Sequence, residues 1–355
     1  MFGEETGLGR STVSTAKNDR SKTVTLRDVA QVAGVSLSTA SKALNGRADV
    51  RPETRRRVEE AADRLAFRPN AAAQLLPSGR TGTVGLITSD LEGRFSIPIL
   101  MGAEDAAGAG KMSVFLCDAR EDTIRERYHL EALLSRRVDG IIVVGSRTDP
   151  RPSLGRDLPV PLVYVYAPSD SPDDLSLVPD NVGAGRLAVE HLLSTGRRRL
   201  AHIAGDPTYA AARDRVEGVT SALAEHGLGL AGGHQPVYGA WSEAWGRTAL
   251  RAVLEADPDI DAVIAGSDQI ARGVLDALRE LGRRVPQDVA VVSFDNWEIL
   301  ATGSVPQLTS VDMRFESLGR QAAQRLFAAF DGTQEVGTLT QPCRLVVRGS
   351  SVEGA

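Results

Sequence analysis

Apolar residues along this chain keep two different rhythms, one confined to residues 24–80 and the other filling the rest. In the first stretch Val29, Ala33, Val35, Ala40 and Leu44 fall at spacings that let two short helices bury one small core. Thr25 caps the first helix, with Asp28 three residues on where a carboxylate meets free backbone N–H groups. That helix is predicted to run to about Ala33. Gly34 and Val35 then turn the chain, because glycine takes a positive φ without steric cost. Ser36 caps a second helix over Leu37 to Leu44. A third starts at Pro52, and its Val58, Ala62 and Leu65 recur at helical spacing to cover the first two. Two short helices joined by a tight turn make a helix-turn-helix, whose second helix enters the DNA major groove. Leu37 and Ser38, with Lys42 one turn later, would then read base edges. Thr25, Ser36, Thr39, Ser41 and Asn45 are short polar groups suited to phosphate.

Beyond Gly79 strands and helices alternate. Runs beginning at Thr83, Met112, Val138 and Pro161 read as buried parallel strands, and the pattern restarts at Leu200, Asp261 and Asp288. These predict two α/β subdomains, each a doubly wound parallel sheet, with a ligand cleft at the carboxyl ends of their strands. LSLVPDN, at residues 175–181, reads as a poor strand.

Composition narrows the picture. The chain has 355 residues, 42% of them hydrophobic but only 5% aromatic, so Ala, Val and Leu fill the cores of two or three domains. No apolar run approaches a membrane span, and the first ten residues lack the features of a signal peptide, so a cytoplasmic, nucleoid-associated protein is expected. Residues 1–22 read as a disordered arm. Cys117 and Cys343 are expected to be buried, reduced thiols. The net charge of −5 speaks against nucleic acid until it is divided along the chain. Residues 17–80 hold 13 Lys and Arg against 7 Asp and Glu, a net of +6, and residues 81–355 hold −10. A basic end on an acidic body localises a phosphate-binding field. Arg55 to Arg57, beside the second helix, are positioned either to steer DNA or simply to solvate a helix face.

Enzymatic readings fail. Gly183-Ala-Gly185-Arg-Leu-Ala188 matches a dinucleotide fingerprint loosely, without a clear strand before it or a ribose-binding acid after it; a glycine-rich helix start packed on a sheet explains it. There is no phosphate loop, zinc spacing or serine elbow. His129, His191, His202, His226 and His234 are scattered, and His202 reads as a satisfied core histidine. Neither a metal nor a cofactor is expected.

VTLRDVAQVAGVSLSTASKALNG followed by PETRRRVEEAADRLAFRPN resembles the DNA-binding headpiece of the lactose-repressor (LacI) family of bacterial transcription regulators, and the likeness extends to about Gly349. It implies an all-α headpiece joined to an α/β core similar to periplasmic sugar-binding proteins. The implied divisions are the headpiece at 23–69, a hinge helix at 70–81, and an effector-binding and dimerisation domain at 82–349, followed by a tail at 350–355. Within that domain one subdomain takes about 82–179 and 311–337, the other about 180–310 and 338–349, with crossings near Pro179, Ser310 and Gly337. The resemblance implies that Leu76 wedges into the minor groove, flanked by Asn70, Ala73 and Gln74; Pro77 biases Leu76 away from the α region. Leu26 and Thr54 complete the DNA-facing set.

VDGIIVVG, DNVGAGRLAVEHLLSTGRRRLAHIAG, AARDRVEG, AGSDQIARGVLDALRELGRRVPQDVAVVSFDN and LTSVDM carry the resemblance through the core. It implies effector contacts from Arg215, Asp295, Trp241, Ser267, Phe95 and Tyr166. Tyr166, Val144 and Ala211 stand where sugar-binding members often carry polar groups. A sugar has an apolar face and a hydroxyl rim, so one aromatic plate with Asp and Arg groups suits it. Taken singly, Arg215 could pair with Glu217, Asp295 could cap a loop and Trp241 could be half-buried packing. The resemblance implies a homodimeric repressor on a pseudo-palindromic double-stranded operator, controlled by a mono- or disaccharide. The reduced polarity leaves open a larger oligosaccharide or a non-sugar such as a purine or nucleoside. A transport solute-binding protein is the other class the cleft allows, and the headpiece argues against it. The closing sequence has no leucine heptads for a tetramer.

Overall fold

The computed structural model describes residues 24–44, 49–68, 80–89, 91, 94–110, 112–155, 157–233 and 235–354. The chain divides into two compact units, residues 1–77 and 78–355. The expected arm, Asn45, His234 and all of the hinge except residues 80 and 81 lie outside the described residues.

The first unit contains α1 (Leu26–Ala33), α2 (Leu37–Leu44) and α3 (Pro52–Arg64). The Asp28 carboxylate accepts the Thr25 backbone N–H at 2.8 Å and its hydroxyl at 2.7 Å, closing the start of α1. Gly34 ends that helix at φ +63, the left-handed conformation that a Cβ disfavours. The Ser36 hydroxyl accepts the Thr39 N–H at 3.1 Å and so caps α2. Val29, Ala40 and Val58 form the centre of the core, each completely buried. Arg57 is more than a solvated basic residue, because its Nη2 donates to the Ala33 carbonyl at 2.6 Å and satisfies the end of α1.

In the second unit come β1 (Thr83–Thr88), α4 (Ser96–Ala109), β2 (Ser113–Asp118), α5 (Thr123–Ser135), β3 (Gly140–Val144), β4 (Leu162–Val165) and β5 (Leu175–Pro179). Next are α6 (Asn181–Ser194), β6 (Leu200–Ile203), α7 (Ala210–Glu225), α8 (Glu243–Ala256), β7 (Ala262–Ala265), α9 (Asp268–Glu280), β8 (Ala290–Phe294), α10 (Glu298–Ala301) and β9 (Thr309–Asp312). The chain returns through α11 (Phe315–Phe330), β10 (Gly337–Gln341) and β11 (Arg344–Val346). One sheet has six strands in the order β10-β5-β4-β3-β1-β2, and the other has five in the order β11-β9-β8-β7-β6. The first is wholly parallel. In the second β11 runs antiparallel to β9, so that sheet is mixed, contrary to expectation.

Several boundaries differ from those read in the sequence. Residues 175–179 do form a strand, inserted between β4 and β10. Its buried Ser176 hid the apolar pattern, but the hydroxyl accepts the Ser169 N–H at 3.0 Å, and Pro179 occupies the strand's last position. The run at Ser113–Asp118 is an edge strand, not a buried one: Phe115 and Leu116 are 47% and 41% exposed. β9 stays in the second sheet through Asp312 and β10 in the first through Gln341, moving the later crossings to 313–314 and 342–343. Residues 350–351 are no tail. Ser350 Oγ donates to the Val291 carbonyl at 2.7 Å and accepts the Thr309 N–H at 2.8 Å.

Glycines set the helix spacing. A methyl group on Gly185 would meet the Arg215 carbonyl at 2.4 Å, and one on Gly218 would meet the Val182 carbonyl at 2.0 Å. The loose fingerprint at 183–188 is thus a glycine-rich helix start, pressed against helix α7 and packed on the second sheet through Ala184 and Ala188. Gly102 with Gly319, and Gly246 with Gly273, bring α4 to α11 and α8 to α9 in the same way. Among the described residues no helix is long and apolar enough to cross a membrane.

Candidate functional site

The headpiece presents α2. Leu37 is 47% exposed, and Ser36, Ser38 and Lys42 are exposed beside it, an unusual display of an apolar side chain at a helix start. Lys42 Nζ lies 2.6 Å from Asp49 Oδ2 with both side chains half in solvent, a weak pairing that leaves the ammonium ready for another anion. Thr25 is exposed, Thr39, Ser41 and Thr54 are half-buried, and Leu26 packs against the helix core. Asn45, Asn70, Ala73, Gln74 and Leu76 lie outside the described residues.

In the second unit the candidates converge at the carboxyl ends of the two sheets. A cavity of about 180 Å³ is walled by Arg94, Phe95, Ser146 and Tyr166 from the first subdomain. Tyr209, Ala211, Arg215, Trp241 and Asp295 close it from the second. Strand ends face it because the parallel order leaves every following loop on the same side.

Asp295 follows β8 at φ 96, and Asn296 follows at φ 49, so two consecutive residues occupy the left-handed region. Asp268, at the start of α9, fixes this turn: its carboxylate accepts the Trp297 N–H at 2.6 Å and the Ser293 and Ser310 hydroxyls at 2.6 and 2.7 Å. The Ser310 oxygen in turn accepts the Asn296 N–H at 2.9 Å. Burial, followed by the charge of Asp295, raises the Asp268 carboxyl above the ordinary range.

Arg215 donates to Asp295 Oδ1 at 3.0 Å, Asn181 Oδ1 at 2.9 Å and the Gly266 carbonyl at 2.6 Å. Its guanidinium carbon lies 4.8 Å from the Phe294 ring centroid. These partners, not Glu217, hold it. Trp241 lies over Gly205, where a Cβ would come within 2.4 Å of the indole, and meets Tyr209 edge-on at 5.7 Å. Its Nε1 is buried with no acceptor among the described residues. Trp245 behaves differently, its Nε1 tied to the Ala204 carbonyl at 2.9 Å. Phe95 packs on Tyr166 and Phe315, with centroids 5.3 and 4.8 Å away. Burial raises the Tyr166 phenol, with the Asp295 charge acting the same way, so it stays neutral.

One sequence candidate, Ser267, lies off the cavity, as does Val144, which stands where sugar-binding members often carry a polar group. Ser267 is completely buried, its hydroxyl accepting the Ile270 N–H at 3.3 Å as the cap of α9. Val144 is sealed in β3. Arg94, Ser146, Tyr209 and Asp149 were not legible as site residues, because loop positions carry no periodicity. Asp149 reaches across from the first subdomain to the Ala210 N–H at 3.0 Å and to Arg213 Nη2 at 3.1 Å. Elsewhere His202 is only half satisfied, with Nδ1 2.9 Å from the Ile264 carbonyl and Nε2 unpartnered among the described residues. Cys117 and Cys343 are free and half-buried, and burial pushes the Cys343 thiol up to about 12. No group of acidic, His and Cys side chains suited to a metal occurs among the described residues.

Comparison with known proteins gives two matching families: the lacI family of bacterial regulatory proteins over residues 25–70, and a periplasmic binding protein-like domain over residues 189–351. The HTH-type transcriptional regulator CelR of Thermobifida fusca is 35% identical, the match covering 93% of this chain and 97% of CelR. Catabolite control protein A of Priestia megaterium is 33% identical over 92% of this chain and 99% of its own. The solved complex of the transcriptional regulator CelR with cellobiose superposes with a TM-score of 0.61 at 33% identity, covering 92% of this chain and all of that one. The Lac repressor dimer bound to operator and the anti-inducer ONPF superposes at 0.71 with 28% identity, over 93% and 100% of the two chains.

Proposed function

Because the chain belongs to the lacI family of bacterial regulatory proteins and is a DNA-binding transcription regulator, we propose that it represses carbohydrate-utilisation genes and that a sugar in the cleft sets its operator affinity. The observation that carries the sugar reading is the combination of the Trp241 plate over Gly205 with the buried Arg215–Asp295 pair in one cavity. An aromatic face takes the apolar side of a pyranose while the charged pair sorts its hydroxyls. The related CelR bound to cellobiose supports that class.

The same wall favours a second reading. Phe95, Tyr166, Tyr209 and Trp241 crowd the cavity with rings, and Ala211 adds no polarity, which also suits a flat purine or nucleoside. A solute-binding protein of transport has no use for the headpiece.

The functional unit is a cytoplasmic homodimer located at the nucleoid. Ile97, Met101, Phe115 and Leu116, exposed on α4 and the edge strand β2, supply an apolar face for the second copy. Two headpieces related by a two-fold axis read a pseudo-palindrome, with Leu37, Ser38 and Lys42 on base edges and Thr25, Ser36, Thr39, Ser41, Asn45 and Thr54 on the backbone. Leu76 enters the minor groove between Asn70, Ala73 and Gln74 of the hinge. A ligand that binds one arrangement of the subdomains more tightly shifts the population of hinge arrangements and hence operator affinity. Selection from random DNA tests this: a two-fold symmetric site is expected, and recovery of asymmetric sites only would overturn it.

A further inference from the structure

The Arg215–Asp295 pair leaves half of a carboxylate uncommitted. Asp295 Oδ1 takes Arg215, while Oδ2 has a guanidinium across the cleft, Arg94 Nη2 at 3.2 Å, but no hydrogen bond of proper geometry. Arg94 Nη1 is likewise buried without an acceptor among the described residues. The two side chains come from different subdomains, the Asp295 side chain 2% exposed and that of Arg94 16%. The Oδ2–Nη2 contact is thus electrostatic without being a hydrogen bond, and the neighbouring guanidinium nitrogen, Nη1, has no acceptor among the described residues.

The position of Arg94 is specific. It walls the 180 Å³ cavity and also an adjoining open groove of about 630 Å³, so it stands at their boundary. Its guanidinium carbon lies 4.9 Å from the Phe95 ring centroid and 5.3 Å from that of Trp297, between one ring of each subdomain.

We propose that Arg94 is an effector-contact residue that, together with Asp295, reads a single sugar hydroxyl bridging Asp295 Oδ2 and Arg94 Nη1 beside the existing 3.2 Å contact. The hydroxyl donates to Asp295 Oδ2 and accepts from Arg94 Nη1. A hydroxyl does both at once, whereas a ligand carboxylate would suit Arg94 and repel Asp295, and an ammonium would do the reverse. The ring bearing this hydroxyl lies at the groove end of the cavity, so a second sugar ring would continue past Arg94 toward Trp297. Because one partner comes from each subdomain, the hydroxyl also ties the cleft shut. This rests on the sugar reading above.

The test is calorimetric titration of the full chain with D-glucose, D-ribose and cellobiose, and with the monodeoxy analogues of whichever binds. Arg94→Met keeps the apolar stem against Phe95 and Trp297 while removing the guanidinium, and Arg94→Ala is measured beside it. Each variant is expected to melt near the wild type and to bind at least tenfold more weakly. One monodeoxy sugar should lose a similar factor against the wild type and lose nothing further against Arg94→Met; the other analogues should lose equally in both proteins. If the wild type binds a sugar and Arg94→Met binds it as tightly, or if every analogue loses equally in both proteins, the inference is wrong and the sugar reading stands. If the wild type binds none of the three sugars, the sugar reading falls and the inference falls with it.

Discussion

Arg215 Nη2 and Asp295 Oδ1 meet at 3.0 Å although 80 residues separate them, one on α7 and the other past the end of β8. Both side chains are almost completely buried, at 4% and 2% exposure. Breaking a buried pair by removing one partner leaves an uncompensated charge and costs about 3–5 kcal/mol. Arg215→Ala and Asp295→Ala are each expected to destabilise the second unit by that order and to abolish sugar binding. Chemical denaturation and titration check this, and variants with wild-type stability and affinity would contradict it.

Trp241 and Trp245 lie four residues apart with different roles. Trp241→Ala is expected to weaken sugar binding at least tenfold, or about 1.4 kcal/mol, with little change in melting temperature. Trp245→Phe loses the 2.9 Å bond to the Ala204 carbonyl, so stability should fall by about 1 kcal/mol while affinity holds. Melting curves and titrations of the two variants distinguish these outcomes, and equal effects on both quantities would show that the assignment of the two rings is wrong.

In the headpiece, Gly34 sits at φ +63 with Arg57 Nη2 3.3 Å from the place a Cβ would take. Gly34→Val is expected to cost the three-helix unit about 1–2 kcal/mol, weakening operator binding and leaving sugar binding unchanged. Thermal melts with titrations of DNA and sugar test this. A loss of sugar affinity in the absence of DNA would show that the substitution acts beyond the headpiece.

His202 gives a pH dependence of known sign. Burial pushes its imidazole down to about 4 from an ordinary 6.5, so the unfolded chain takes up a proton that the folded one refuses. The stability this neutral histidine supports is fully present above pH 6.5 and is lost as pH falls toward 4, to the extent of about 3 kcal/mol. Burial lowers the His191 imidazole too and adds to the same trend. His202→Leu should flatten the decline in denaturation midpoint over that interval; an unchanged slope would sink the assignment.

The three headpiece helices were legible because their starts and stops carry named chemistry: Thr25, Gly34, Ser36 and Pro52. The strands were legible where the sequence keeps an unbroken apolar run, including the exposed edge strand β2. β5 read only as a poor strand because the buried Ser176 interrupts its apolar run, and the last crossings were displaced because β9 continues through Asp312 and β10 through Gln341. At the cleft, Arg215, Asp295, Trp241, Phe95 and Tyr166 fall around one cavity, while Ser267 became a helix cap. Arg94 and Asp149 lay beyond sequence reasoning. Their significance comes from partners some 200 and 60 residues away, Asp295 and Ala210, which only the folded chain brings near.

The most direct test of effector-controlled DNA binding is the dissociation constant of the selected operator measured by fluorescence anisotropy, with and without a saturating sugar that the calorimetry identifies. Linkage requires the sugar's affinity to change by the same factor when operator is bound. The account expects a shift of at least tenfold, in either direction, that disappears in Asp295→Ala. Equal operator affinity with and without bound sugar would contradict it.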